Sequence, residues 1–296
     1  MRNRMVLFAL ILVVAGSAVA LDDAAVARAD ELYEEDRTSE SIDALEAALA
    51  TAQNGAERAE VLWRLSRATL AIGEALEDDS ADADLVLETY ERGERYGIQA
   101  VEADPDSHLG YYWQSANIGK WGQAKGILNA LFKATPMRNL LQQAINRQPD
   151  HAGSYYVLGQ LYAEVPGVIS FGNDDYAVGL ARKSIDLHEA ELASGEADEV
   201  EHDYYIQLAS HLMQRGWNER RRDREMAGKR DSFQAVSDRL EQGWYYEGTV
   251  QISAQDDVEE AEALLRDMIG RLESIRNRSD GQERQLERAR GLTDEL

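Results

Sequence analysis

Five histidines are the side chains of this sequence best suited to bind a metal or move a proton: His108, His151, His188, His202 and His211. None stands in an H-E-x-x-H pattern, and the chain has no cysteine, so the sequence predicts no structural zinc site. The G-x-S-x-G, P-loop and G-x-G-x-x-G patterns are also missing. The sequence therefore predicts no catalytic residue, metal or cofactor, although an enzyme site assembled between helices stays an alternative.

An acidic segment raises the question of calcium binding. The stretch EALEDDSADAD, which ends at Asp84, contains Asp78, Asp79 and Asp82. It lacks the spaced ligands, the glycine and the final glutamate of an EF-hand loop. We interpret it as a solvated acidic loop.

A basic run interrupts an otherwise acidic chain. Residues 215–230, RGWNERRRDREMAGKR, carry seven basic and three acidic side chains. One interpretation is a solvated helix face with local i,i+4 ion pairs. The other is a docking patch for an acidic partner or for another copy of the chain, centred on Arg220, Arg221 and Arg222.

Aromatic side chains are the candidate ligand- or partner-binding residues. They gather after two prolines and in the apolar loop of YAEVPGVISFGNDDY. They line a binding channel in one interpretation and form ordinary core in the other, because aromatic side chains at helical spacing pack most often in cores. The candidates are Tyr112, Trp113, Trp121, Phe132, Tyr155, Tyr162 and Phe171.

Helices must position these side chains. The chain has only 4 prolines in 296 residues, and alanine, leucine, glutamate and arginine are abundant. Within YYVLGQLY, the residues Tyr155, Leu158, Gly159 and Tyr162 stand at offsets 0, 3, 4 and 7, which is one helix face. A glycine on that face weakens the helix, so we expect a packing reason for Gly159.

An internal repeat organises the middle of the chain. GERYGIQAVEADP ends at Pro105 and MRNLLQQAINRQP ends at Pro149, a period of 44 residues. After each proline come an aspartate, an aromatic pair and a new predicted helix. Proline ends the preceding helix because it lacks the N–H that the helix needs.

This pattern resembles the tetratricopeptide (TPR) family, W-x2-L-G-x2-Y followed by A-x3-F-x2-A and a proline. Tyr155, Leu158, Gly159 and Tyr162 match its first helix. The resemblance implies an all-α, right-handed superhelical array of TPR-like helix-turn-helix repeats, with about ten to twelve helices. The period exceeds that of a TPR, so we expect long inserts between paired helices, at 120–136 and 163–174.

The expected segments are a signal peptide at 1–20, an N-terminal helix pair at 21–59, degenerate TPR-like repeats at 60–215 and C-terminal helices at 216–296. Arg2 and Arg4, an apolar run and the sequence Ala18-Val19-Ala20 support the signal peptide. An uncleaved membrane anchor is the alternative. The net charge of −24 argues against nucleic acid or an anionic membrane as partner, and no membrane insertion is expected after cleavage.

Residues 137–187 also resemble the T component of TRAP transporters, a periplasmic family of degenerate TPRs. Pro166 and Gly172 fall on its P-x-x-x-GG motif, where Asn173 replaces the second glycine. The same stretch, together with YYWQSANIGKWG, is similar to the regulator-of-microtubule-dynamics family, another TPR group. The first resemblance implies periplasmic export, a TRAP substrate-binding protein as partner and a homotrimer.

Taken with the missing catalytic patterns, the repeats favour a non-enzymatic protein that binds a protein partner or a small apolar ligand between its repeats. An accessory role in TRAP-type solute transport is the first hypothesis. A general envelope scaffold unrelated to transport is the second.

Overall fold

The computed structural model describes residues 23–296, in which thirteen α-helices and one 3-10 helix at Tyr246–Thr249 carry the fold, without any strand. The predicted all-α class is confirmed, with one α-helix more than expected. The predicted signal peptide at 1–20 lies outside the described residues. The α-helices are α1 Asp23–Glu34, α2 Thr38–Thr51, α3 Gly55–Asp78, α4 Ala83–Ala103, α5 His108–Lys125, α6 Ile127–Arg147, α7 Ala152–Glu164, α8 Asp174–Ser194, α9 His202–Arg215, α10 Glu219–Ala235, α11 Arg239–Trp244, α12 Asp257–Ser274 and α13 Asp280–Asp294.

The helices pack mostly on their neighbours in sequence, as in a TPR array. Contacts run from α1 to α2, α3, α4, α5 and α6 in order, and again from α7 to α8 and α9. The order breaks near the C-terminus, where α12 packs on α9, and α13 on both α12 and α9. No helix in residues 23–296 is long and apolar enough to cross a membrane.

The core consists of several clusters along this stack. The cluster around α5 to α8 contains Tyr155, Leu158 and Tyr162, each at most 2% exposed. The offsets that predicted one helix face therefore correspond to a buried face. A second cluster joins α8 and α9 to α12 and α13, and a third joins α1 and α2 to α3.

The prediction of an insert at 120–136 is wrong, because this segment is helical. Helix α5 continues to Lys125, and α6 begins one residue after Gly126, whose φ of +88° favours glycine. Pro136 lies inside α6 and removes a helical hydrogen bond to the carbonyl of Phe132. Both residues are exposed, so water can satisfy that carbonyl.

The segment between α7 and α8 is a loop, as expected. A Cβ at Gly172 would lie 1.5 Å from the Val165 carbonyl oxygen, so only glycine fits where the loop closes on itself. Asn173 begins α8 as its N-cap, because its Oδ1 accepts hydrogen bonds from the backbone N–H groups of Asp175 and Tyr176. Asn173 thus caps α8 at the position where the T-component family, which the sequence resembles, has a second glycine.

Candidate functional site

A cavity of about 520 Å³ lies between α5, α6 and α7 on one side and α9 and α13 on the other. This volume falls in the range of small-molecule sites, roughly 300–1,000 Å³. Helix α3 contributes Leu70 and Glu74 to its rim. The C-terminal helix therefore closes a space that the middle repeats open.

The wall formed by α5, α6 and α7 is mainly apolar. Its members are small or aliphatic side chains that leave room between the helices and offer no hydrogen bonds. They include Ala116, Ile118, Ala130, Leu131, Ala134, Met137, Val157, Leu161 and Val165. This wall suits an apolar group of a ligand.

The opposite wall is polar. Arg288 of α13 donates a hydrogen bond of 2.6 Å to Asp203 at the start of α9. Asp203 also accepts a hydrogen bond from the Tyr156 hydroxyl. Burial, with Asp203 beside it, raises the pKa of Tyr156 well above its usual value, so this tyrosine stays a neutral donor. Gln285 of α13 donates to Glu201 at 2.6 Å.

Charged side chains stand where α3, α5 and α13 meet. Lys120 of α5 lies 2.5 Å from Glu74 of α3. Arg284 of α13 lies 2.9 Å from Asp78 and 3.9 Å from Glu74. The α13 wall is thus joined to the N-terminal half of the protein by an ion pair between residues 206 positions apart.

Glu164 is the carboxyl group with a raised pKa on the apolar side of the cavity. Desolvation raises the pKa of this carboxyl, and a 2.7 Å hydrogen bond donated by Gln123 partly opposes the shift. Lys120 and Arg288 also act to lower the pKa. Gln123 and the two cations thus favour the charged carboxylate, against burial, which favours the neutral form.

Only two of the seven aromatic candidates line this cavity. Tyr112 and Trp113 belong to its wall, and burial raises the pKa of the Tyr112 hydroxyl. Trp121 is buried at its edge and donates a hydrogen bond to Glu91. Phe132 points away from the cavity and is 69% exposed.

The remaining three candidates belong to the core cluster around α5 to α8, with Phe171 partly buried against it. Tyr162 meets Phe171 edge to face at a centroid distance of 5.2 Å and Trp244 at 5.9 Å. The Tyr155 hydroxyl donates to the carbonyl of Pro149, and burial raises its pKa to about 12. None of Tyr155, Tyr162 and Phe171 lines the described cavity.

The sequence predicted a docking patch of Arg220, Arg221 and Arg222. The prediction is wrong for Arg222, which is only 2% exposed and cannot face a partner. Its guanidinium donates to Glu260 of α12 and, at 2.9 Å, to the carbonyl of Gln255. Arg220 is exposed, and Arg221 stacks over the Trp217 ring at 4.4 Å. A helix turns a side chain every 100°, so adjacent arginines cannot share one surface.

Arg222 belongs to a buried ionic network that joins α8, α9, α10, α12 and the 3-10 helix. Glu247, fully buried, receives Arg182 at 3.0 Å, Arg215 at 2.6 Å and Lys229 at 2.6 Å. Burial alone would raise the pKa of Glu247, but these three cations hold it below its usual value. The other carboxylates of the network are Asp175, Asp257 and Glu260. Much of the basic run at 215–230 therefore serves the fold.

The functional residues that sequence reasoning missed come mainly from α9 and α13. Asp203, Arg284, Gln285 and Arg288 carry no motif, and the last three lie in a polar C-terminal helix outside the repeat pattern. An alternation of basic residues with leucines at helical spacing was the available signal. Among residues 23–296, no group of three or more histidines and carboxylates could hold a metal ion.

Comparison with known proteins supports one of the two closer resemblances. Residues 25–168, just under half of the chain, match the family model of Regulator of microtubule dynamics protein 1-3. The similarity to this family is therefore confirmed for α1 to α7, whereas the likeness to the TRAP T component stays a prediction. Of the two cavity walls, the match covers the apolar one only.

The matching relatives are longer than this chain. Regulator of microtubule dynamics protein 1 of Bos taurus is 28% identical over 132 residues, covering 45% of this chain and 39% of that protein. The Pongo abelii protein of the same name is 27% identical over 121 residues, covering 40% and 38%. The chain thus spans about two fifths of the length of these relatives.

Among solved structures, a thermophilic TPR protein of Thermus thermophilus is similar at 17% identity. The alignment covers 77% of this chain and 99% of that one, with a TM-score of 0.48.

Proposed function

We propose that this protein is a non-enzymatic helical scaffold whose cavity binds the apolar part of a partner, either a small apolar ligand or an apolar group of a protein segment. The single observation that carries the proposal is the cavity of about 520 Å³ with one apolar and one polar wall. Such a space buries an apolar body and leaves hydrogen-bond partners for a polar end.

The polar groups of the cavity favour binding over turnover. Asp203 is held by Arg288 and Tyr156, and Glu74 is held by Lys120. A general base needs a free lone pair within reach of the proton that it removes. These carboxylates are instead held by partners in the walls, so we infer that they fix the shape and charge of the cavity and do not remove protons.

Binding of the apolar probe N-phenyl-1-naphthylamine tests this proposal. We expect its fluorescence to rise on mixing with the folded protein, and Ala116→Phe, which fills the apolar wall, to abolish the rise. Ala124→Phe is the matched control, because Ala124 is exposed on the same helix and does not line the cavity. Equal binding by both variants would place the probe elsewhere and defeat the proposal.

We further propose, on sequence resemblance, that the protein is exported to the periplasm and serves a TRAP-type transport system, with a TRAP substrate-binding protein as partner. Support comes from the apolar N-terminal run, the Ala18-Val19-Ala20 site and the likeness at Pro166 and Gly172. The envelope scaffold unrelated to transport is the alternative. N-terminal sequencing should find Leu21 as the first residue of the periplasmic protein, and retention of Met1 in the membrane pellet would contradict cleavage and favour the uncleaved membrane anchor.

Purified substrate-binding protein should form a measurable complex with the mature chain if the transport assignment is correct. Light scattering of the chain alone tests the homotrimer. A monomer without affinity for the substrate-binding protein would leave the general scaffold as the remaining assignment.

A further inference from the structure

The segment from residue 107 to residue 149 differs in charge from the rest of the chain. It carries five basic residues and no aspartate or glutamate, whereas the whole chain has a net charge of −24. This segment forms α5 and α6. The basic residues are Lys120, Lys125, Lys133, Arg138 and Arg147.

Three of these five cations, Lys125, Arg138 and Arg147, have no carboxylate partner within ion-pair distance among residues 23–296, and Arg147 is held by hydrogen bonds to the Pro105 carbonyl and the Tyr111 hydroxyl. Lys120 and Lys133 are paired with Glu74 and Glu94. Lys125 and Arg138 form no such pair, and Arg138 stacks its guanidinium over the Phe171 ring at 4.5 Å. Both can therefore meet an incoming carboxylate without first breaking an ion pair.

Exposed apolar side chains concentrate in the same region. Leu128 and Phe132, one helical turn apart on α6, are 71% and 69% exposed. In the loop before α8, Val168 and Ile169 are 97% and 66% exposed. No other exposed large apolar side chain in the described residues exceeds 47%. The contact between Arg138 and Phe171 holds this loop against α6.

The core does not use this surface of α6. Ala130, Ala134 and Met137 of the same helix line the cavity from the opposite side, where they are at most 8% exposed. Leu128 and Phe132 lie on the outer side, where Phe132 meets the Trp121 ring edge to face at 6.2 Å but stays 69% exposed, so the core covers little of either side chain. We call Leu128, Phe132 and the two cations that flank them in sequence, Lys125 at the end of α5 and Arg138 further along α6, the outer α6 face.

We propose that the outer α6 face is a docking surface for an acidic amphipathic segment of a partner protein. The apolar side chains of that segment would cover Leu128 and Phe132, and its carboxylates would pair with Lys125 and Arg138. On this surface such a segment would meet two cations and exposed apolar side chains together, in a stretch of the chain without aspartate or glutamate.

Charge decides against two other occupants. Two copies that met through the same face would place Lys125 and Arg138 against their own counterparts. An anionic lipid surface is wide enough to face the acidic remainder of the chain as well as these two cations, and it would be repelled by the net charge of −24, whereas a short acidic segment covers this face only.

Fluorescence anisotropy with two designed peptides tests the proposal. Both are 18-residue capped helices with leucine along one face, and they carry either glutamate or lysine on the other. We expect the glutamate peptide to bind, more weakly as sodium chloride rises, and the lysine peptide, which the acidic remainder of the chain attracts, not to bind at this face. The double variant Leu128→Ser with Phe132→Ser should bind the glutamate peptide at least tenfold more weakly.

A charge reversal sharpens the test. The double variant Lys125→Glu with Arg138→Glu should bind the glutamate peptide at least tenfold more weakly. It should also create binding of the lysine peptide at this face. Arg220→Glu with Arg276→Glu is the matched control, because both arginines are exposed and lie outside this face. Leu85→Ser is the control for the apolar change, since Leu85 is 47% exposed on α4.

Four outcomes would overturn the proposal. They are no salt-dependent binding of the glutamate peptide by the wild type, unchanged binding of this peptide by the Leu128 and Phe132 variant, binding to vesicles with anionic lipid, or a dimer that this variant abolishes. The thermal midpoint of each variant should equal that of the wild type, because these surface changes should not unfold the protein. Their uptake of N-phenyl-1-naphthylamine should match the wild type, which separates this surface from the cavity.

Discussion

His211 of α9 has an unusual environment for a titratable side chain. It is 4% exposed, and neither ring nitrogen has a hydrogen-bond partner among the described residues. Burial, with Arg288 nearby, lowers the pKa of His211 to about 3. The neutral ring is therefore the folded form at neutral pH.

A pH dependence of stability follows with a defined sign. Between about pH 6.5 and pH 3 the unfolded chain binds a proton at His211 that the folded chain does not. Stability is therefore lost as pH falls through this range, by up to about 1.4 kcal/mol per pH unit. His211→Phe should remove about that slope, measured as the free energy of unfolding in urea at pH 7, 6 and 5. An unchanged slope would contradict the assignment.

Arg222 permits a second prediction for a single residue. Arg222→Met leaves Glu260 and Asp257 in the buried network with one cation fewer. Removing one partner of a buried ion pair costs about 3–5 kcal/mol, and Arg182 beside Glu260 makes the lower end the expectation. Arg220→Met, on the exposed side of the same helix, should change stability by less than about 0.5 kcal/mol. Similar urea midpoints for the two variants would show that the network is not needed.

Neighbouring helices come into their closest contact at glycines other than Gly159, which is the glycine that the sequence pattern singled out. A Cβ at Gly159 would lie 3.5 Å from the carbonyl oxygen of Ala177, which is ordinary contact. At Gly97 it would lie 2.7 Å from the Cα of Gln114, so α4 and α5 touch there through backbone. The face of α7 was predictable from its period, but the distance to the next helix is set by residues far along the chain.

Alanine substitutions at these two glycines should therefore have different effects on the free energy of unfolding. Gly97→Ala should destabilise by about 1–3 kcal/mol, because α4 and α5 must move apart. Gly159→Ala should be neutral or stabilise by up to about 1 kcal/mol, because alanine is the better helix former and has room. Urea unfolding of both variants at pH 7 is the measurement. Equal destabilisation would contradict the structural distinction between these positions.

The helical repeats were the part of the molecule that the sequence predicted well. The spacing of Tyr155, Leu158 and Tyr162 and the prolines at 105 and 149 are local signals, and the structure confirms the helices that they imply. The segment at 120–136 was predicted wrongly because a longer period is met equally well by an insert or by longer helices.

For the whole molecule, the cavity could not be predicted, since its walls come from distant parts of the chain. Tyr112 and Trp113 line the cavity, but nothing in the sequence shows that α13 returns to face them. Arg284 and Asp78 meet across 206 positions, and polar helices such as α13 carry little information on where they pack. The same limit applies to Arg222, whose neighbours in sequence are exposed.

The return of α13 leads to a prediction about ligand exchange. Arg284 and Asp78 are 39% and 48% exposed, so their pair contributes at most about 1 kcal/mol to holding α13 against α3. Arg284→Glu should therefore speed the release of N-phenyl-1-naphthylamine about fivefold in stopped-flow fluorescence, with little change in thermal midpoint. Adding Asp78→Arg should restore slow release by reversing the pair. Arg290→Glu is the control on the same helix, since Arg290 pairs with Glu273 of α12. Fast release in the control, or no recovery in the double variant, would show that this contact does not govern access to the cavity.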